Sequence, residues 1–355
     1  MCTWDFPVIR SREKKTIYFP ADFGNEDMID TRKIHCQNNC YFLSGKTHIM
    51  KWTGKKVGLA LGRGGVRGFS HIGVLNVLEE EGIEIDLIVG TSAGALIGGA
   101  YASGQSPREI QDKIEAYIRS PEFGASKIKT IGLAFCGEKK GFFKKAQTFV
   151  MNRFWFAQGF FKPSILPYHD FKSLIDYFLP EMDISNTRIP LLVVSTDLIT
   201  GKKIVFSKGS LRQAVLASCS VPGAVAPVHQ GEWLLADGGI TSLVPIHAAR
   251  EAGADVVIAV VVDRDMNTNV TIETAKDVLF RAGEITTSAL EASELESADV
   301  IIQPQVGNLH WMAFNRAGDL VKIGEQATRA SLEKISASLP LYRRIVRLAG
   351  RFIKR

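Results

Sequence analysis

A short apolar run, a glycine-rich loop and a helix-spaced segment follow one another from Lys56, and the same order then recurs in kind. VGLALG has strand length, Gly62-Arg63-Gly64-Gly65-Val66-Arg67-Gly68 is a loop, and FSHIGVLNVLEEEG carries Ile72, Leu75, Val77 and Leu78 at helical spacing before ending at Gly82. IDLIVG reads as a second strand, Thr91-Ser92-Ala93 as a turn, and AGALIGGAYASG as a helix small enough to pack closely on a sheet. Further apolar runs occur at Leu191 to Ser195 and Val256 to Val262, with helical segments between. Unbroken apolar strands are buried on both faces. Their alternation with helices predicts a three-layer α/β/α fold with a mainly parallel central sheet.

The bulk composition bounds the classes open to such a chain. At 355 residues, 46% apolar and 23% charged, it is an ordinary folded protein with an ample core, far from disordered or fibrous compositions. Cys2, Cys36, Cys40, Cys136 and Cys219 are odd in number and irregular in spacing, which argues against a disulfide framework and for a reducing compartment, the cytoplasm. The start MCTWDFPVIRSREKK has no apolar stretch after a basic one, and no uncharged run approaches the ~18 residues of a spanning helix. Membrane contact is therefore expected to be peripheral, at the inner face. A net charge of +6 suits an anionic surface but identifies none.

Residues 1–54 mix charges, aromatics and amides without a period and read as an N-terminal extension. His35, Cys36 and Cys40 invite a zinc reading there, but no second ligand pair has suitable spacing, and no metal is expected. At about 120–167 the strand-helix rhythm breaks into a segment where Phe142, Phe143, Phe149, Phe154, Trp155, Phe156, Phe160 and Phe161 interleave with basic residues. Such an insertion is either a local aromatic subcore or a lid or patch at a lipid boundary. In residues 333–355, Leu341, Ile345, Leu348 and Phe352 share one helical face, while Arg343, Arg344, Arg347, Arg351, Lys354 and Arg355 lie largely elsewhere. A basic amphipathic helix of this kind binds anionic bilayer surfaces, or packs with a solvated basic face. No nucleic-acid-binding module is recognisable, and no nucleic-acid partner is expected.

Gly90-Thr91-Ser92-Ala93-Gly94 fits G-x-S-x-G and stands where a nucleophile elbow must, after a buried strand and before a helix. A serine capping a helix has the same local layout. A serine nucleophile needs a base and an oxyanion site. The loop Gly62 to Gly68 offers backbone N–H groups at a helix N-terminus, with Gly64 and Gly65 as the oxyanion donors. It is not a dinucleotide fingerprint, because Arg67 stands where the third glycine should, nor a P-loop, because no Gly-Lys-Ser/Thr follows. The candidate base is Asp237, after a short apolar run and before the turn-permitting Gly238 and Gly239.

GRGGVRGFSHIGVL, GTSAGAL and DGG, in this order, resemble the patatin-like phospholipase family. STDLITGKKIVFSKGSLRQAVLASCSVPGAVAPV and LVP with HAAREAGADVVIAVVV are also similar to family sequence. The resemblance covers about Lys55 to Leu332, and it implies a catalytic domain over 55–332. It also implies a Ser-Asp dyad without histidine: Ser92 as nucleophile, Asp237 as base, and Gly62, Gly64, Gly65, Val66, Arg67 and Gly68 around the oxyanion and substrate. Arg63 interrupts a glycine run that is more usual at that point. The rival reading is an α/β-hydrolase triad of Ser92, Asp197 or Asp237, and His247, or of Ser92, Asp197 and His229. His71 reads as structural. The reaction the resemblance implies is hydrolysis of a lipid acyl ester, of phospholipase A or lysophospholipase type, with no cofactor. A lipid-binding protein without turnover, and an acyltransferase using the same dyad, are the alternatives.

Overall fold

The computed structural model describes residues 55–130, 164–262, 270–307, 309, 314–340 and 343. The N-terminal extension, most of the aromatic insertion and the greater part of the basic C-terminal segment lie outside the described residues.

Eight strands form one sheet among the described residues: β1 Val57–Leu61, β2 Leu87–Thr91, β3 Leu191–Asp197, β4 Lys203–Phe206, β5 Val228–Gln230, β6 Trp233–Asp237, β7 Val256–Val260 and β8 Val300–Ile302. Their order is β5-β6-β3-β2-β1-β7-β8, with β4 also paired to β3. The run β3-β2-β1-β7-β8 is parallel, whereas β4, β5 and β6 are antiparallel additions. The helices are α1 Ser70–Glu80, α2 Ala93–Ala102, α3 Pro107–Arg119, α4 Pro121–Ala125, α5 Tyr168–Phe178, α6 Leu211–Ser218, α7 Ile246–Glu251, α8 Ala275–Leu295 and α9 Ala317–Ser338. The last of these runs straight across residue 332, where the sequence suggests a boundary.

The strands are apolar throughout because each serves two cores. Val57, Leu59 and Leu61 of β1, with Val256, Ile258 and Val260 of β7, pack into the core shared with α1, α2, α3 and α9. The alternate residues, Ala60, Val257 and Ala259, belong to the second core with Ile246, Ala248 and Ala249 of α7 and the end of α8. Two-residue alternation on a sheet covered on both sides produces this division, and the result is the predicted three-layer α/β/α fold.

The pairing of β3 determines where chemistry can occur. Val193 and Val194 pair with β2 and with β4, while Ser195 and Thr196 pair with β4 and with β6. A strand has only two edges, so β2 and β6 must share the edge opposite β4. They therefore meet head to head. Thr91, the last residue of β2, is opposite Val194, and Asp237, the last residue of β6, is opposite the next residue, Ser195. The topology thus brings the turn after Thr91 and the end of β6 together at the carboxyl edge of the parallel strands, where open α/β sheets place their sites.

Candidate active site

Ser92 links β2 to α2 with φ 54° and ψ −121°, the one non-glycine residue with positive φ among the described residues. Such backbone costs about 1–3 kcal/mol and persists only when its surroundings impose it. Three constraints do so here. The Ser92 carbonyl accepts from Ala95 and Leu96 at 2.9 and 3.0 Å. Its N–H donates to the Ser218 hydroxyl at 2.8 Å. Gly94 lets α2 press on β1, since a Cβ there would stand 2.1 Å from the Leu61 carbonyl oxygen. Gly90, on the other side of the elbow, lets α2 fold back on β2, since a Cβ there would stand 2.5 Å from the Ala95 Cα. The Ser92 side chain makes no capping hydrogen bond to α2, so its hydroxyl is not spent on holding the helix.

Asp237 ends β6 and starts the turn Gly238–Ile240, its Oδ1 accepting from the Gly239 amide at 2.7 Å. A Cβ at Gly238 would lie 2.2 Å from the Val194 carbonyl oxygen, so the turn needs glycine to fold under β3. The carboxylate is buried, and burial raises its pKa; the facing Ser92 hydroxyl, the Gly239 amide and the Arg63 charge oppose that rise. The Cys219 thiol lies in the same surroundings, and burial and the Asp237 charge hold its pKa well up.

The glycine loop is anchored at its entrance. Gly62 N–H donates to Val260 O and Arg63 N–H to Leu243 O, both at 3.0 Å. Neutral His71, its pKa lowered to about 4 by burial, donates from Nε2 to Gly62 O at 2.8 Å. Beyond this entrance the N–H groups of Gly64 and Gly65 have no acceptor among the described residues. Val66 points into the core and Gly68 packs against Ala93 of α2, while the Arg67 Nε donates back to Gly64 O at 3.2 Å.

These parts share one cavity of about 600 Å³, whose wall includes Arg63, Gly64, Gly65, Arg67, Ser92, Asp237 and Gly239. Ile240, Val221, Pro222 and residues of α8 complete it. A buried serine, a buried carboxylate and two amides without an acceptor among the described residues, all on one cavity wall, can together accept an acyl group, move a proton and hold an oxyanion. His229 and His247 are exposed and do not line the cavity. Asp197 accepts from Ile199, Thr200 and Leu234 in a turn of its own and is likewise outside it.

Sequence reasoning does not single out Ser218, Glu294 or α8. The stretch holding Ser218 stands out only as a whole, and Gly283, Thr286, Thr287 and Leu290, which line the cavity, belong to a helix with no motif. Among the described residues no group of three or more His, Cys, Asp or Glu could hold a metal ion, and no helix is long and apolar enough to cross a membrane.

Fold and site together define a class: an α/β protein with a strained serine and a buried aspartate facing each other at the carboxyl edge of a parallel sheet. Residues 59–250 match the patatin-like phospholipase family, and the chain belongs to that family. An uncharacterized NTE family protein of Mycobacterium tuberculosis is 28% identical over 305 residues, 79% of this chain and 47% of that protein. The protein named lysophospholipase NTE1 of Candida glabrata is 25% identical over 309 residues, 80% of this chain and 16% of that protein. The chain spans about half the length of the curated mycobacterial relative, at 47%. The crystal structure of VipD from Legionella pneumophila aligns with a TM-score of 0.41 and 16% identity, covering 79% of this chain and 67% of that one.

Proposed function

We propose that the chain is a serine acyl hydrolase that cleaves lipid acyl esters of the phospholipase A or lysophospholipase class, with Ser92 as nucleophile and Asp237 as general base. The observation that carries this reading is the meeting of Ser92, in an imposed strained backbone, with a buried Asp237 in a cavity that no histidine lines among the described residues. A similar protein is named a lysophospholipase. That name and the family supply the lipid class.

In the first step the Ser92 hydroxyl gives its proton to Asp237 as its oxygen attacks the ester carbonyl. The tetrahedral oxyanion is held by the Gly64 and Gly65 amides, and the alcohol leaves with the proton returned from Asp237. Water then attacks the acyl-enzyme as Asp237 takes its proton, the acyl–Ser92 Oγ bond breaks to release the fatty acid, and the proton passes from Asp237 back to Ser92. A carboxylate is a weak base in water, and burial raises its basicity toward the working pH. Arg63 and Arg67 face the same cavity, which suits an ester whose neighbouring group is anionic.

The test is hydrolysis of a soluble short-chain ester and of phospholipid vesicles by the wild type beside Ser92→Ala, Asp237→Asn and His247→Ala. Loss of about a thousandfold or more in the first two, with His247→Ala unaffected, is expected. Loss in His247→Ala would return the triad. A wild type inert on every ester would leave a lipid-binding protein.

A further inference from the structure

The crossover helix α8 is much longer than the sheet it covers. It connects β7 to β8, two parallel neighbours, and so runs antiparallel to them, beginning at the carboxyl edge where Ser92 lies. Its 21 residues span about 31 Å, whereas the five residues of β7 span about 17 Å. Only the second half is seated on the sheet. There Leu290 and Leu295 pack on the second core, and the Glu294 carboxylate accepts from Ser242, Leu243 and Val244. The first half overhangs the carboxyl edge.

The overhang sets large apolar side chains in solvent among charged ones. Val278, Leu279, Phe280 and Ile285 are 55, 74, 59 and 50% exposed. A helix end that serves only to connect two strands gains nothing from side chains such as Val278, Leu279 and Ile285 in water. Their placement is continuous with the candidate active site. Gly283, Thr286 and Leu290 line the cavity, and Leu279 lies on the same helical stripe one turn before Gly283, with Val278 and Phe280 on either side of it. Ile240, on the cavity wall, is 42% exposed, and Ile199, in the loop after β3 at the same edge, is 67% exposed. An apolar rim therefore leads into a cavity that also holds Arg63 and Arg67.

We infer that the overhanging first half of α8 is the surface by which this protein docks on a lipid bilayer, its apolar side chains entering the interface so that a lipid can pass over Gly283 and Thr286 to Ser92. The choice of a bilayer rests on the lipid-ester reading above. It agrees with the chemistry at the rim, apolar side chains outermost with two arginines behind them, which matches acyl chains lying below phosphate headgroups. The net charge of +6 adds attraction to an anionic leaflet. Docking here needs neither the aromatic insertion nor the basic C-terminal segment.

The full chain is tested by flotation with vesicles containing phosphatidylglycerol, comparing the wild type with Val278→Glu/Leu279→Glu. Both positions are near the N-terminus of α8, where acidic side chains suit the helix dipole, and neither lines the cavity. Vesicle affinity is expected to fall by about tenfold or more, with hydrolysis of a soluble short-chain ester unchanged. In the single variant Leu279→Trp, emission from the introduced indole should shift to the blue on vesicles and be quenched by brominated lipid. Unchanged vesicle affinity in the double variant, or an introduced indole that stays in water on vesicles, overturns the proposal. So does a wild-type dimer that the double variant dissociates without change in vesicle binding, which would make α8 a contact between copies of the chain. If the wild type floats through α8 but cleaves no ester, the hydrolase reading fails and the docking surface stands.

Discussion

The backbone N–H of Ser92 donates to the hydroxyl of Ser218 at 2.8 Å, and that hydroxyl donates in turn to the Val194 carbonyl at 2.6 Å. This one side chain bridges the gap where β2 ends and β6 begins. β3 has no strand to offer Val194 O at that point, and the Ser92 amide has left the β2 ladder without yet joining α2. Ser218 satisfies both, and it is fully buried. It also uses the amide of the elbow serine itself, in keeping with the proposal that the oxyanion donors come from the glycine loop.

Ser218→Ala should therefore strand two buried backbone groups and cost about 1–3 kcal/mol of stability. Because the strained φ of Ser92 is partly held by this bond, kcat on a soluble ester should fall by about ten- to a hundredfold with KM little changed, and Ser218→Thr should recover much of it. Equal kcat in the alanine variant and the wild type would show that the elbow is held without Ser218.

The base should reveal itself in the acid limb of the pH–rate profile. Burial raises the pKa of Asp237, so activity should be lost on acidification at a pH above the ordinary carboxylate range, as the proton occupies the base. The Arg63 charge opposes that rise. Arg63→Gln should shift the acid limb of kcat/KM to still higher pH, measured on an uncharged ester so that substrate binding does not enter. A limb that stays in place would show Arg63 to be electrically remote from the base.

Much of this arrangement is legible in the sequence because β1, β2, β3 and β7 are buried on both faces and so stand out as apolar runs, and because an elbow between strand and helix has few sequences that fit it. The antiparallel strands are less visible. β5 has three residues, all at least partly exposed, and β4 and β6 take their place from pairing with β3, which no local pattern announces. Asp237 is marked by its glycines, whereas its approach to Ser92 depends on the two strand ends sharing an edge. Ser218 reads locally as the last residue of a helix. In α8, apolar residues that face water have the same spacing as ones that face a core, so the sequence directs attention for lipid contact to the aromatic insertion and the basic C-terminal segment instead. Arg343, counted there among the basic residues, places its Nη2 at 2.7 Å from both Asp86 carboxylate oxygens.

His71 makes stability depend on pH. Its folded pKa of about 4 is below the ordinary 6.5, so as pH falls the unfolded chain takes up the proton first. The stability that neutral His71 contributes is present above about pH 6.5 and is lost progressively toward pH 4, about 2 kcal/mol of it between pH 7 and pH 5. His71→Gln keeps an N–H for Gly62 O and cannot titrate. Denaturant unfolding at the two pH values should show the wild type losing about 2 kcal/mol more than the variant, and equal losses would mean that the imidazole is not held neutral.

Glu294 ties α8 to the loop after Asp237. The residue is 3% exposed, and its carboxylate accepts from the Ser242 hydroxyl at 2.5 Å and from the Leu243 and Val244 amides at 2.8 and 2.9 Å. Burial raises its pKa and the three donors oppose the rise. The Leu243 carbonyl accepts from Arg63 N–H, so the same strut carries the entrance of the glycine loop. Glu294→Gln keeps the shape but presents one oxygen and an NH2 to three donors, which leaves at least one of them unmatched. Thermal unfolding should show a loss of about 1–3 kcal/mol, and kcat on a soluble ester should fall several-fold as the Gly64 and Gly65 amides lose their support. A variant with lowered stability and full kcat would confine Glu294 to fastening the helix.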